Sequence, residues 1–176
     1  MLPGESLLLV EGQANRRCLR RGRKGNRMER THIRTAAEGD LSRIAEIFVI
    51  NNRVNYWPIF GDEAYSFGQM QVLPVAEAFR TELGSIAVYD DGIVRGFVQT
   101  TPGEVEKLYV DPFFQGRGIG AELLAYAMAQ GARRLWALEK NTRALAFYAR
   151  HGFRQSGAKK LEEGTTEFLC ELVRED

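Results

Sequence analysis

Cysteine and histidine are scarce in this 176-residue chain, which holds only Cys18 and Cys170, and His32 and His151. Two thiols cannot build the disulfide framework of a small secreted domain, and four such side chains so far apart do not make a Cys/His zinc site. No metal is expected, and a reducing, cytoplasmic setting is the expectation. Long apolar runs are missing as well. None approaches the roughly 20 residues that span a bilayer, so a transmembrane helix is excluded. The opening "LPGESLLLVEG" lacks a basic n-region, and its apolar segment is too short for a signal peptide. No Ser/His/Asp or Cys/His arrangement can be assembled for nucleophilic catalysis.

What is present fits one globular domain with a real core: 44% of residues are hydrophobic and 27% charged. The net charge of +1 hides a split, because residues 1–30 carry eight Lys/Arg against three Asp/Glu, and the remainder 16 against 20. The run "RRCLRRGRKGNRMER" has no apolar periodicity and cannot bury a face, so residues 1–30 are expected to be a disordered extension ahead of a domain at 31–176. As a functional element this would be a basic arm for nucleic acid or anionic lipid. The plainer reading is an extension without function, so neither nucleic acid nor membrane is an expected partner. Met28 is an alternative start, since the Lys24-Gly25 codons lie where a purine-rich ribosome-binding site would sit, which would make residues 1–27 an upstream-start artefact.

From residue 31 strands and helices alternate. "THIRTA" reads as a short strand, and Asp40 is placed to cap a helix with Leu41, Ile44, Ile47 and Phe48 at helical spacing. That helix is expected to fade near "NNRVNYWP", ahead of Pro58. A second helix is expected around 75–83. "SIAVYDDGIVRGFVQT" reads as a β-hairpin with Asp91-Gly92 supplying positive φ angles, and "EVEKLYV" as the next strand. The loop "DPFFQGRGIG" leads into the helix "AELLAYAMAQ", which Gly131 ends. Then come a strand at 134–139, a helix "NTRALAFYARHG" between Asn141 and Gly152, and a closing strand at 165–173.

The glycines of "QGRGIG" admit three phosphate-binding readings. A P-loop needs Lys and Ser/Thr after its last glycine, and Gly120 is followed by Ala121-Glu122. A dinucleotide fingerprint through Gly116, Gly118 and Ala121, with Glu139 about twenty residues on, needs its first glycine at the strand end. Residues 111–115 intervene after Val110, and too few strands follow. The third reading, Q-x-x-G-x-G from Gln115, wraps a diphosphate in backbone N–H groups at a helix N-terminus. The hexapeptide alone also fits a plain tight turn into a helix.

Its surroundings decide between them. "LYVDPFFQGRGIGAELL" resembles the acyl-CoA-binding signature of the GNAT superfamily of N-acyltransferases, and "LWALEKNTRALAFYARHGF" resembles that family's next segment, N-x-x-A-x-x-F-Y-x-x-x-G-F. The resemblance covers residues 31–176. It implies an α/β (α+β) fold in which helices flank a mixed, mostly antiparallel sheet whose parallel strands 4 and 5 splay apart to admit pantetheine. It further implies a cytoplasmic acetyltransferase that uses acetyl-CoA on a primary amine of a small molecule or peptide, and family members are often dimers. The competing readings are a non-catalytic acyl-CoA-binding module and a nucleic-acid-associated protein using the basic arm.

On that resemblance the pyrophosphate falls to Gln115, Gly116, Arg117, Gly118, Ile119 and Gly120, with Arg117 and Arg143 also candidates for the phosphates. Leu108 and Val110 would serve through their main chain along pantetheine, and Asn141 would reach the pantetheine arm or simply cap its helix. Tyr148 matches the tyrosine beside the CoA sulfur, where a phenol can donate a proton to the departing thiolate. In the plainer reading it packs beside Phe147. Strand alternation puts Glu104, Glu106, Leu108 and Val110 on one face. Glu104 matches the catalytic glutamate of histone-acetylating members, and Glu106 lies one residue pair nearer the splay, so either is a candidate base. The acceptor segment 51–70 is dense in aromatics, with Tyr56, Trp57 and Phe60 as candidate walls for an amine with an apolar body.

Overall fold

The computed structural model describes residues 32–175, which fall within one compact unit, Thr31–Asp176. The basic run, the Met28 start and residues 1–30 as a whole lie outside the described residues.

Strand β1 (Ile33–Thr35) leads through a tight turn into helix α1 (Leu41–Asn55). Asp40 does not cap α1 with its side chain. It already sits in the right-handed helical region, not in the extended conformation that a capping side chain needs, and its carboxylate takes the Arg34 guanidinium and the Ala37 N–H. The apolar spacing holds: Leu41, Ile44 and Ile47 are buried, each contributing roughly 1.5–3 kcal/mol. Helix α1 runs through the first asparagines and ends at Asn55, within the stretch where it is expected to fade. Pro58 then sits in the first turn of a short helix α2 (Trp57–Phe60), where its missing N–H costs nothing. A π-helical turn (Ala64–Gln69) follows, held to α1 by Arg53, which donates to the carbonyls of Ser66 and Met70 at 3.2 and 3.1 Å. Helix α3 (Val72–Arg80) starts three residues earlier than its apolar spacing implies, because Pro74 is accommodated in its first turn.

The hairpin forms from β2 (Ile86–Asp90) and β3 (Val94–Thr101). Asp90 pairs with Val94, which leaves Asp91, Gly92 and Ile93 as the loop, and Gly92 takes positive φ, at 111°. After β4 (Glu104–Val110) the chain crosses over through α4 (Ile119–Ala129) to β5 (Arg134–Leu138), then passes through α5 (Thr142–Arg150) to β6 (Arg154–Leu161) and β7 (Phe168–Val173). The sheet order is β1-β2-β3-β4-β5-β7-β6, antiparallel throughout except for β4 beside β5. Those two parallel strands pair only at Glu104 with Arg134 and Val105 with Leu135, and then part.

Each face of the sheet carries its own core. On one face Leu123, Leu124 and Ala127 of α4 and Tyr148 of α5 pack with Val105, Val110, Leu135 and Leu172. On the other, Ile44 and Ile47 of α1 and Phe79 of α3 pack on Ile86, Val88 and Phe97. Gly96 in β3 is needed for this packing, since a Cβ there would fall 2.8 Å from the Tyr109 carbonyl oxygen.

Candidate functional site at the parting of two strands

The gap between β4 and β5 opens into a cleft of about 450 Å³, walled by β4, the 115–120 loop, β5 and α5. Strand β4 enters it with a bulge. Lys107 pairs with Gln99 and Val105 with Thr100, so Glu106 is an extra residue with no partner across from it. The bulge breaks the expected alternation: Val105, Leu108 and Val110 share the α4/α5 side, and Glu104 and Glu106 no longer lie on one face with them. Glu104 stays in the paired part of the strands, 2.9 Å from the Arg134 guanidinium, and does not line the cleft. Glu106 does line it, exposed beside Lys107 at 3.8 Å.

Beyond the bulge, Asp111 gives its N–H to the Arg95 carbonyl of β3. Antiparallel alternation therefore turns the main-chain groups of Leu108 and Val110 away from β3, toward the gap. Asp111 then caps the turn Pro112–Phe114, accepting from the Phe113 N–H at 2.8 Å, and forms an ion pair with Arg43 of α1. The loop that follows uses positive φ at Gly116 (76°) and Gly118 (87°) to swing into α4. The N–H groups of Gly116, Gly118, Ile119 and Gly120 find no main-chain acceptor among the described residues, and all four residues line the cleft. Gln115 lines it too, its amide donating to the Val110 carbonyl at 3.0 Å. Arg117 does not: it is exposed and lies over the Phe114 ring, 5.2 Å from its centroid. Arg143 does line the cleft.

Asn141 both lines the cleft and caps α5, its side-chain oxygen accepting from the Ala144 N–H at 3.1 Å. Two turns on, Tyr148 is 8% exposed, with its ring against Phe147 and Phe153. Its hydroxyl makes no hydrogen bond to any described residue. Burial, and secondarily the nearby Tyr56, pushes this phenol well above its ordinary pKa, so it keeps its proton. Tyr56 lines the opposite wall, its hydroxyl 3.1 Å from that of Tyr109, and burial likewise raises both. Trp57 and Phe60 stand off the cleft. Trp57 meets Phe67 edge-on at 5.4 Å, and Phe60 lies beside Tyr56 at 6.0 Å.

Among the cleft residues that the sequence reading does not single out are Asn51 and Asn55 of α1. They continue the Ile44, Ile47, Phe48 stripe at helical spacing, and a polar residue on a core-facing stripe was the available signal.

Residues 75–155 match the model of the family described as "Acetyltransferase (GNAT) domain". Residues 75–155 are thus similar to a GNAT acetyltransferase domain. Over 79 residues it is 30% identical to the peptidyl-lysine N-acetyltransferase YjaB of Salmonella typhimurium, across 44% of this chain and 54% of that protein. The chain thus spans about half the length of that curated relative. The likeness in fold extends further than the sequence match. Apo YjaB from Escherichia coli superposes with a TM-score of 0.65 at 19% identity, covering 80% of this chain and 95% of that one. PaiA N-acetyltransferase from Thermoplasma acidophilum, solved in complex with coenzyme A, gives 0.62 at 22% identity over 79% and 96% of the two chains. In this fold the splayed pair is β4 and β5, as the resemblance implies, and no helix of the described residues is long and apolar enough to cross a membrane.

Proposed function

We propose that this chain is an N-acetyltransferase that moves the acetyl group of acetyl-CoA onto a primary amine of a small molecule or peptide by direct attack. The observation that carries this reading is the convergence in one cleft of Glu106, the Tyr148 phenol, the outward main chain of β4 and the uncommitted N–H groups of the 116–120 loop. A diphosphate suits those N–H groups, where the α4 dipole adds favourable charge. The pantetheine arm suits the main chain of Leu108 and Val110, with Asn141 at its far side. A donor lying along β4 brings its thioester to the parting of the strands.

The chemistry divides among the side chains there. Glu106, directly or through water, takes a proton from the acceptor ammonium, and the freed amine attacks the thioester carbonyl carbon. The β4 main chain polarises the carbonyl oxygen. As the carbon–sulfur bond breaks, the leaving thiolate takes the Tyr148 proton, and the second proton lost by the new amide nitrogen passes through water to restore the phenol. Exclusion of water raises the phenol's pKa and makes the thiolate more basic, so the transfer remains matched. Tyr56 is the nearest candidate wall for the acceptor. The curated relative's name gives peptidyl-lysine as its acceptor, which places lysine peptides first among amines to try.

The test pairs acetyl-CoA calorimetry with a thiol-release assay over a panel of amines and lysine peptides. We expect binding, and turnover with at least one primary amine. Tyr148→Phe is expected to lower kcat about 10²-fold while the acetyl-CoA Kd stays within about twofold. Failure of the wild-type chain to bind acetyl-CoA overturns the reading. Binding without turnover of any acceptor favours a non-catalytic acyl-CoA-binding module.

A further inference from the structure

Asn51 is 2% exposed, and its hydrogen-bonding capacity is filled in a specific way. Its amide nitrogen donates to the Ile47 carbonyl at 2.8 Å and across to the Val110 carbonyl at 3.1 Å. Two main-chain carbonyls can be met only by the NH₂ end of the amide, so its orientation is fixed by its partners. Its oxygen then accepts from Asn55 at 3.2 Å, one helical turn on, and from Gln115 at 3.4 Å. Gln115 also donates to the Val110 carbonyl at 3.0 Å. Three side-chain amides therefore form a ladder from the acceptor-side helix α1 to the first residue of the glycine loop, closing on one carbonyl at the end of β4.

That carbonyl belongs to the strand edge that faces the gap. With two amides capping it, the Val110 N–H and the main chain of Leu108 are the groups left open to a ligand. The ladder also fixes Gln115, from which the N–H groups of Gly116 and Gly118 project. We infer that Asn51 is a positioning residue for the acyl donor: it holds the end of β4 and Gln115 in the geometry that receives acetyl-CoA. The inference rests on the acyl-CoA reading above. It adds to that reading a residue from α1, outside both sequence motifs.

Calorimetry of acetyl-CoA binding tests it on the full chain, with wild type measured first. If wild type fails to bind, the functional reading falls; if it binds, the variants decide the inference. Asn51→Ala leaves the Val110 carbonyl half-capped and Gln115 without its anchor, and is expected to raise the acetyl-CoA Kd about tenfold. Combined with Gln115→Ala it is expected to cost no more than the larger single effect, because the two act as one unit. The donor KM should rise with Kd, while kcat at saturating donor and the acceptor KM stay within about twofold. A merely structural role would lower the folded fraction and with it apparent kcat, leaving Kd and KM where they were.

Asn55→Ala is the second arm, at a half-buried position where truncation leaves the fold standing. Loss of its bond to Asn51 is expected to raise Kd about threefold. A folded Asn51→Ala that binds acetyl-CoA within twofold of wild type overturns the inference. Should Asn51→Ala fail to fold, an unchanged Kd in Asn55→Ala overturns it instead.

Discussion

Glu104 and Glu106 are two residues apart on one strand, and a single bulge gives them different work. Glu104 lies where β4 and β5 are still paired and is spent on Arg134, whereas Glu106 lies where they have parted. Glu106→Gln is therefore expected to lower kcat/KM for the acceptor about 10²-fold at neutral pH. The loss should shrink at alkaline pH, where the amine has already shed its proton. Glu104→Gln should leave turnover within about twofold and remove only a partly exposed ion pair, worth up to about 1 kcal/mol. Steady-state pH profiles of both variants check this, and a larger loss in Glu104→Gln reverses the assignment. Strict period-2 alternation put both glutamates on one face, and nothing in "EVEKLYV" marks a bulge. The extra residue is visible only in the pairing of β4 with β3, a long-range property. The side chains of the two motifs were more legible: Gln115, Asn141 and Tyr148 all reach the cleft that their spacing implies. Arg117 does not, because the guanidinium of an exposed loop residue found the Phe114 ring beside it.

Among the elements, legibility followed hydrophobic contrast. Helices α1, α4 and α5 and strands β2 to β5 each carry an apolar stripe or run, and the sequence reading finds all of them. Strand β6 carries none. All eight of its residues are exposed, so "RQSGAKKL" has no buried side to alternate with, and it is a strand only because β7 offers a free edge. The glycine loop shows the opposite case, where local chemistry does specify the element. Gly118 stands at φ 87° with nothing within 4 Å of where a Cβ would be, so its requirement is torsional. Gly120 lies in the first turn of α4, where an added Cβ would meet Phe147 at an ordinary 3.5 Å. Gly118→Ala is expected to cost about 1–2 kcal/mol. Gly120→Ala is expected to be neutral or stabilising by up to about 1 kcal/mol, because alanine is the better helix former. Urea unfolding midpoints of the two variants read the difference, and equal losses would show that crowding, not torsion, selects both glycines.

At the scale of the molecule, the cleft opens where two strands of the sheet part, and its lining concentrates phenols. Tyr56, Tyr109 and Tyr148 converge there, and burial raises the pKa of each above the ordinary value near 10. Their linkage to folding has a definite sign. The folded chain binds these protons more tightly than the unfolded one, so the stability they contribute is fully present below about pH 10 and is lost as pH rises beyond it. Each phenol adds a slope of about 1.4 kcal/mol per pH unit in that window, against a total stability of order 5–15 kcal/mol. Tyr65 and Tyr89 shift in the same direction and steepen the fall. Unfolding free energies by urea between pH 8 and pH 11 should be level at first and then drop steeply. Tyr148→Phe isolates one share. Because the Tyr148 hydroxyl has no hydrogen-bond partner among the described residues, the variant should match wild-type stability within about 1 kcal/mol at pH 8 and exceed it at pH 11. The same substitution that, in the proposed mechanism, removes the proton given to the thiolate thus makes the fold more tolerant of alkali. A wild-type slope in Tyr148→Phe above pH 10 would mean that its phenol ionises freely in the folded chain, and the assignment of Tyr148 as the retained proton donor would fail with it.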